Sequence, residues 1–457
     1  MFARFFAAMA IWGLLGSGFA HAATLTDEEV GTLSETAMFG NPPDAQAALL
    51  KLIERGDQDV VASLVLALRF RRSSEFIALA LTRLTGERIG EWSDGILWQE
   101  SNPDIIPHES FRALKLKLYN RIDPNFLRFL GGDRALRENL SIRLEEIIWG
   151  GVIVDGIPSL DNPAMIAADD ADYLLDGDMV FGIEINSDVR AYPLRIMGWH
   201  EMFNDTIGGV PVALAYCTLC GAAIVFETRI EAYKNPLQFG SSGFLYRSNK
   251  LMFDRTTDSL WNQFTGQPVS GPLRNSGMTL PIRPVVTTTW ADWKQRHPTT
   301  TVLSLETGFQ RDYGPGVVYS DYFSSPDLMF PTTVGDESVV KRKDRVFGIR
   351  DVAAARAWPV AAFEKEPVIN DVVGGRAVVL VGDAKTRSVR AYDRNDWIFE
   401  PADAPDQLRS DGDDWIITES SLVGPDGQKL ARVPGHLSYW FAWDGYLGVD
   451  STLYRAP

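Results

Sequence analysis

Residues 180–214 read VFGIEINSDVRAYPLRIMGWHEMFNDTIGGVPVAL, and residues 346–380 read VFGIRDVAAARAWPVAAFEKEPVINDVVGGRAVVL. Aligned without a gap at an offset of 166, they share 13 identities in 35 positions, where chance gives about two. Such self-similarity marks a duplicated unit. The shared residues include Gly182 with Gly348, Arg190-Ala191 with Arg356-Ala357, Asn204-Asp205 with Asn370-Asp371, and Gly208-Gly209 with Gly374-Gly375. Further along, Asp254-Arg255 resembles Asp393-Arg394 and Trp290-x-x-Trp293 resembles Trp440-x-x-Trp443, so the second copy reads as shortened by deletions in its middle. What both copies keep should be architecture: Gly-Gly for a turn at positive φ, Asn-Asp for local backbone bonding, and Trp pairs for core. What one copy alone holds should be function.

Working outward from this repeat, the chain from Gly150 onward is a succession of short β-branched and aromatic runs broken by Gly, Pro, Asn and Asp, the pattern of strands and turns. Phe239-Gly240-Ser241-Ser242-Gly243 reads as a Gly/Ser turn. Before Gly150 the period is helical. Asp44 is placed to cap a helix with Leu49, Leu52 and Ile53 that ends at Gly56. Asp57 or Asp59 opens one with Val60, Val61, Leu64 and Leu68, and Ser73 or Ser74 one with Phe76, Ile77, Ala80, Leu81 and Leu84. Further helices are expected from about His108 to Tyr119 and from about Asp133 to Trp149. The fold class expected is α+β: a solenoid-like helical domain over 23–149 that can dock a protein partner, a first β-rich copy over 150–335 and a degenerate second copy over 336–457, packed as a pseudo-symmetric pair.

The first residues carry Arg4, an apolar stretch from Phe5 to Phe19, and Ala20-His21-Ala22, the layout of a secretion signal over 1–22 cleaved after Ala22. The protein is thus expected in a periplasm or outside the cell, where disulfides persist. No other apolar run approaches the ~20 residues of a spanning helix, so no membrane span is expected after processing. The 457 residues are 45% hydrophobic, enough for substantial cores. Acidic residues outnumber basic ones by 60 to 44, for a formal charge of −16. Such a charge repels phosphate backbones, and no nucleic-acid partner is expected.

The copies differ where chemistry would lie. At the constant offset His200 falls on Glu366, Glu201 on Pro367, Cys217 on Asp383 and Cys220 on Thr386, and these are the only two cysteines in the chain. Cys217-x-x-Cys220 lets two thiolates converge on one metal ion or form a small, easily reduced disulfide. A purely structural bridge across so short a loop removes little chain entropy. The residue after Cys220 is Gly, not the His of a c-type haem motif, and no second C-x-x-C completes a four-sulfur zinc site. A further ligand would come from His200, just before the cysteine strand in sequence, or from the thioether of Met252. Two thiolates with an imidazole make a soft site that suits copper and would also suit zinc. Glu201 is placed to orient the imidazole or act as a general base, with Cys217 the reactive sulfur. His297 falls at a helix end, where a cation meets the negative end of the dipole. Two other readings stand beside the metal site: a metal-free thiol–disulfide oxidoreductase, and a binding or scaffold protein whose cysteines only close a turn.

Several motifs occur in order: Trp149-Gly150-Gly151, Asp155-Gly156-Ile157-Pro158, Arg190-Ala191-Tyr192-Pro193, Trp199-His200-Glu201, Tyr216-Cys217-Thr218-Leu219-Cys220-Gly221, Phe239-Gly240-Ser241-Ser242-Gly243 and Leu260-Trp261. Together they resemble the bacterial domain of unknown function 3179 family, from about residue 150 to the C-terminus. That family is uncharacterised, so the resemblance implies a secreted bacterial protein but no activity. It also implies that His200, Glu201 and Cys217 fall on positions of the family's pattern.

Overall fold

The structure, a computed structural model, describes residues 25–71, 74–130, 140–350, 354–448 and 451–456. The expected secretion signal lies outside them. The architecture is α+β, with a helical N-terminal region followed by five sheets among the described residues. Contacts divide the chain into two units, residues 1–90 with 107–111, and 91–106 with 112–457.

The first unit is helical: α1 (Asp27–Phe39), α2 (Pro42–Arg55), α3 (Val61–Phe70) and α4 (Glu75–Thr85). Helix α1 was not anticipated, although Thr26 and Glu29 form a capping box at its start. Asn41, not Asp44, caps α2; its side chain accepts the Asp44 N–H at 3.0 Å, and Pro42-Pro43 fill the first turn, where no amide is missed. A 3-10 turn, Gln58–Val60, leads into α3, and Asp57 makes no capping bond. Ser74 caps α4, and Gly56 and Gly86 close α2 and α4 at φ +79° and +77°. Leu49, Leu52, Leu64, Ile77 and Leu81 are buried, whereas Phe76, read as part of the buried stripe, is 52% exposed.

The second unit begins with α5 (Trp92–Ser101) and includes most of α6 (Ser110–Ile122), the helix expected from about His108. The helix expected over Asp133–Trp149 is not found in its described part. Leu144–Glu146 is a 3-10 turn and Ile147–Trp149 a strand, with residues 131–139 outside the description. The β-branched Ile147-Ile148 pair favours extension there.

In the first half of the repeat, strands Met179–Ile185 and Asp188–Pro193 form a hairpin flanked by Val286–Thr289 on one side and, in parallel, by Thr301–Leu303 on the other. In the second half, Arg345–Arg350 and Ala355–Pro359 form a hairpin flanked by His436–Tyr439 and, in parallel, by Ser451–Leu453. A helix follows each outer strand, Trp290–Arg296 and Trp440–Leu447. The inner tryptophan of each lies across a glycine: a Cβ on Gly182 would meet the Trp293 ring at 2.3 Å, and one on Gly348 the Trp443 ring at 1.9 Å. Phe181, Tyr192, Phe203, Leu214 and Val225 pack in one core, and Phe347, Trp358, Ile369, Leu380 and Ala391 in another.

Asn204 does not bond locally as expected. It exchanges two hydrogen bonds with the Phe239 backbone, as Asn370 does with Phe399. The adjacent aspartates accept from the hairpin: Asp205 from Arg190 and Tyr192, Asp371 from Arg356 and Trp358. The Gly-Gly pairs sit at positive φ in both turns. The register also corrects one expected equivalence. Asp393 pairs with Val378 as Glu227 pairs with Val212, so Asp393-Arg394 matches Glu227-Thr228, still at the 166 offset. Asp254-Arg255 belongs to a different sheet. Phe239–Gly243 is likewise not a turn but the start of strand Phe239–Tyr246, whose register with Asn249–Asp254 shifts at a bulge. Glycine serves close approach there, since a Cβ on Gly240 would lie 2.6 Å from Asp155 Oδ1.

Candidate functional site

Strand Val210–Cys217 lies in the middle of its sheet between Met202–Ile207 and Ala222–Glu227. Its end at Cys217 pairs with Ala222, and the chain turns between them through Gly221 at φ +61°. Cys217 and Cys220 are joined in a disulfide across this turn. The turn is gripped by its surroundings. The Tyr322 hydroxyl donates to Leu219 O at 2.7 Å, the Tyr439 N–H donates to Cys220 O at 2.7 Å, and Gln263 Nε2 donates to the carbonyls of Ala215 and Ala222. Tyr439 pairs with Arg345 in the sheet of strands Arg345–Arg350 and Ala355–Pro359, so that sheet holds the turn in place.

Both sulfurs belong to buried residues, but they face different surroundings. Cys217 lines a cavity of about 60 Å³, while Cys220 does not; its Sγ lies 3.5 Å from the Ser248 carbonyl oxygen. Most of the cavity wall is apolar, with Val152, Ile157, Leu219, Leu245 and Phe330 among its residues. The charges on it are Glu201 and Lys250, whose Nζ and Oε2 stand 2.5 Å apart with side chains 9% and 4% exposed. The second carboxylate oxygen, Oε1, accepts from the Thr218 hydroxyl at 2.8 Å. Tyr319 hydrogen-bonds Thr218, and burial pushes its phenol up to about 12, with the Glu201 charge adding to the shift. The cost of burying Glu201 and Lys250 is offset by their pairing and by a partner at each carboxylate oxygen.

The structure brings Glu201 and Cys217 to one cavity but sends His200 elsewhere. Helix Leu194–His200 ends at His200, and Glu201 adopts φ +55°, which turns the two side chains apart. His200 Nδ1 is 2.9 Å from Pro158 O, and Nε2 is 2.6 Å from the Tyr313 hydroxyl. A carbonyl only accepts, so Nδ1 carries the proton, Nε2 accepts from Tyr313, and both nitrogens are in use. Burial pushes the imidazole below its usual range against the opposing pull of the Pro158 carbonyl. Glu201 therefore does not orient this ring. Met252 is fully buried in a core with Phe239 and Trp261. Among the described residues no three His, Cys, Asp or Glu side chains converge as a metal donor set. His297 caps the end of helix Trp290–Arg296, with its Nε2 3.4 Å from Glu419 Oε1.

Lys250, Thr218 and Tyr319 were not singled out from the sequence. Lys250 had a signal: it directly precedes the apolar run Leu251-Met252-Phe253, and a lysine drawn into a buried strand needs a partner. No helix among the described residues is long and apolar enough to cross a membrane.

No curated protein and no solved structure matches the chain. The profile of a family described as a protein of unknown function, DUF3179, matches residues 154–449, a span that holds the self-similar stretches 180–214 and 346–380, the cysteine turn and the polar side chains of its cavity. On that match the chain belongs to the DUF3179 family.

Proposed function

We propose that Cys217–Cys220 is a redox-active disulfide that exchanges with an external thiol through Cys217. The observation that carries this reading is the asymmetry of the bonded pair: Cys217 lines the cavity and Cys220 does not, its Sγ lying instead 3.5 Å from the Ser248 carbonyl oxygen. An incoming thiolate attacks Cys217 Sγ; the Cys217–Cys220 bond breaks as the mixed disulfide forms, and Cys220 leaves as a thiolate that takes a proton. A second thiol attacks the external sulfur of the mixed disulfide and releases Cys217 as a thiol. Two thiols are oxidised to one disulfide and the protein pair is reduced; the reverse steps, with a disulfide as oxidant, restore it. An oxidising compartment, as the Met1–Ala22 reading suggests, fits the oxidised resting state.

The test equilibrates the protein with buffers of 2-mercaptoethanol and its disulfide in graded ratio, traps free thiols by alkylation and weighs the products. Reversible interconversion at constant fold supports the reading; a pair that stays oxidised in the folded protein under excess 2-mercaptoethanol overturns it. Once reduced, the two sulfurs also form the soft donor pair that suits copper or zinc, with remaining donors supplied from outside the chain, since both nitrogens of His200 are engaged. Metal analysis of the reduced, copper- or zinc-exposed protein separates the readings: stoichiometric metal lost in Cys217→Ser favours metal handling.

The two halves are read as divergent copies of one unit in a pseudo-symmetric pair. The common register, the glycine–tryptophan contacts and the Asn and Asp bonding at one offset support this, and the second copy has kept the framework while Asp383 and Thr386 stand where the first has cysteines.

A further inference from the structure

We infer that the thiol partner of Cys217 is a low-molecular-weight thiol with an uncharged, largely apolar arm, rather than the surface dithiol of a folded protein; this rests on the exchange reading above. Size is the first argument. Cys217 is 2% exposed and is reached through a cavity of about 60 Å³, room for only about four or five water-sized groups. A short thiol arm fits that space. The attacking cysteine of a folded protein, carried on a surface, would have to bring its flanking backbone past Leu219, Phe330 and the half-exposed Met329.

Charge is the second argument. Lys250 and Glu201 are committed to each other, and Thr218 to Glu201. An entering carboxylate or ammonium would lose its hydration and find no unspent counter-charge. A neutral arm meets apolar wall and loses nothing comparable. On the far side of the bond, the Ser248 carbonyl 3.5 Å from Cys220 Sγ is placed to accept the S–H that forms when this sulfur leaves and is protonated.

The experiment treats the oxidised protein with 2-mercaptoethanol, mercaptosuccinate and reduced thioredoxin at equal thiolate concentration. Salt of about 0.5 M screens the −16 charge of the chain. The readout is loss of the disulfide, followed by alkylation and mass spectrometry. 2-Mercaptoethanol is expected to react about tenfold faster than either competitor, and Met329→Ala, which trims the cavity wall, to narrow that ratio by raising the thioredoxin rate more than the 2-mercaptoethanol rate. Thioredoxin matching 2-mercaptoethanol overturns the size selection, and mercaptosuccinate matching it overturns the neutral arm, with exchange itself intact in both cases. If none of the three opens the bond in the folded protein, the exchange reading falls and takes this inference with it.

Discussion

Lys250 and Glu201 show how much one residue's surroundings decide. Both are buried, and each is tolerable only because of the other. Lys250→Met leaves a buried carboxylate without its cation and is expected to cost about 3–5 kcal/mol in urea unfolding. The double variant with Glu201→Gln, which removes both charges, should recover most of that loss. Recovery absent in the double variant would mean that Lys250 contributes through packing instead. His436 gives a second prediction. Burial drives its imidazole down to about 4 against the Leu437 carbonyl, and its Nε2 has no hydrogen-bond partner among the described residues. Above the unfolded value near 6.5 both states are neutral and stability is flat. As pH falls from there toward 4, the unfolded chain binds a proton that the folded chain refuses, so stability declines by roughly 3 kcal/mol. His436→Gln should flatten that slope in unfolding curves at pH 7 and pH 5. The site itself was partly legible at this scale. Glu201 and Cys217, expected in one pocket with His200 and Cys220, do line one cavity. His200 and Glu201, adjacent in sequence, part company because the helix ends between them in a left-handed residue.

Elements carry the packing between strand and helix. Gly182 and Gly348 each lie under a tryptophan ring, and alanine at either position must push that ring away. Gly182→Ala and Gly348→Ala should each cost about 1–3 kcal/mol, with Gly348→Ala the worse because its contact is closer; equal stability to the parent in thermal melts would remove the contact from the account. The cysteine turn should behave differently. A bridge over so few residues constrains the unfolded chain by only about 2 kcal/mol, so the reduced protein is expected to keep its fold, with a circular dichroism spectrum unchanged at 25 °C. The strand Phe239–Tyr246 escaped sequence reading for a physical reason. It is buried along nearly its whole length, so it shows no alternation of polar and apolar residues, and its Gly and Ser serve close contact. Helix α1 was missed although its capping box was readable, because its apolar stripe is weak.

At the scale of the whole molecule, a buried network joins segments far apart in the chain. Glu419 accepts from Arg390 and Arg432 and lies beside His297, at the end of helix Trp290–Arg296. Burial opposes its ionisation, but Arg390, His297 and Arg432 together outweigh that and hold the carboxyl well below the usual range. Glu419→Gln leaves two buried guanidinium groups without their shared anion, and about 3–5 kcal/mol should be lost in denaturant unfolding; a change under 1 kcal/mol would show that the network is solvated in solution. The self-similar stretches were legible because they share one offset, and the Gly-Gly turns and buried Trp pairs followed from them; the hairpins and the Trp–Gly contacts came only with the structure. The turn that follows strand Val210–Cys217 brings the two sulfurs together, and their Cys-x-x-Cys spacing was readable in the chain. Which groups gather round those sulfurs was not. Lys250, Tyr319 and Tyr439 come from segments far apart in the chain, and only the folded structure, through the packing of separate sheets, decides that a lysine and not an imidazole shares the cavity with Cys217.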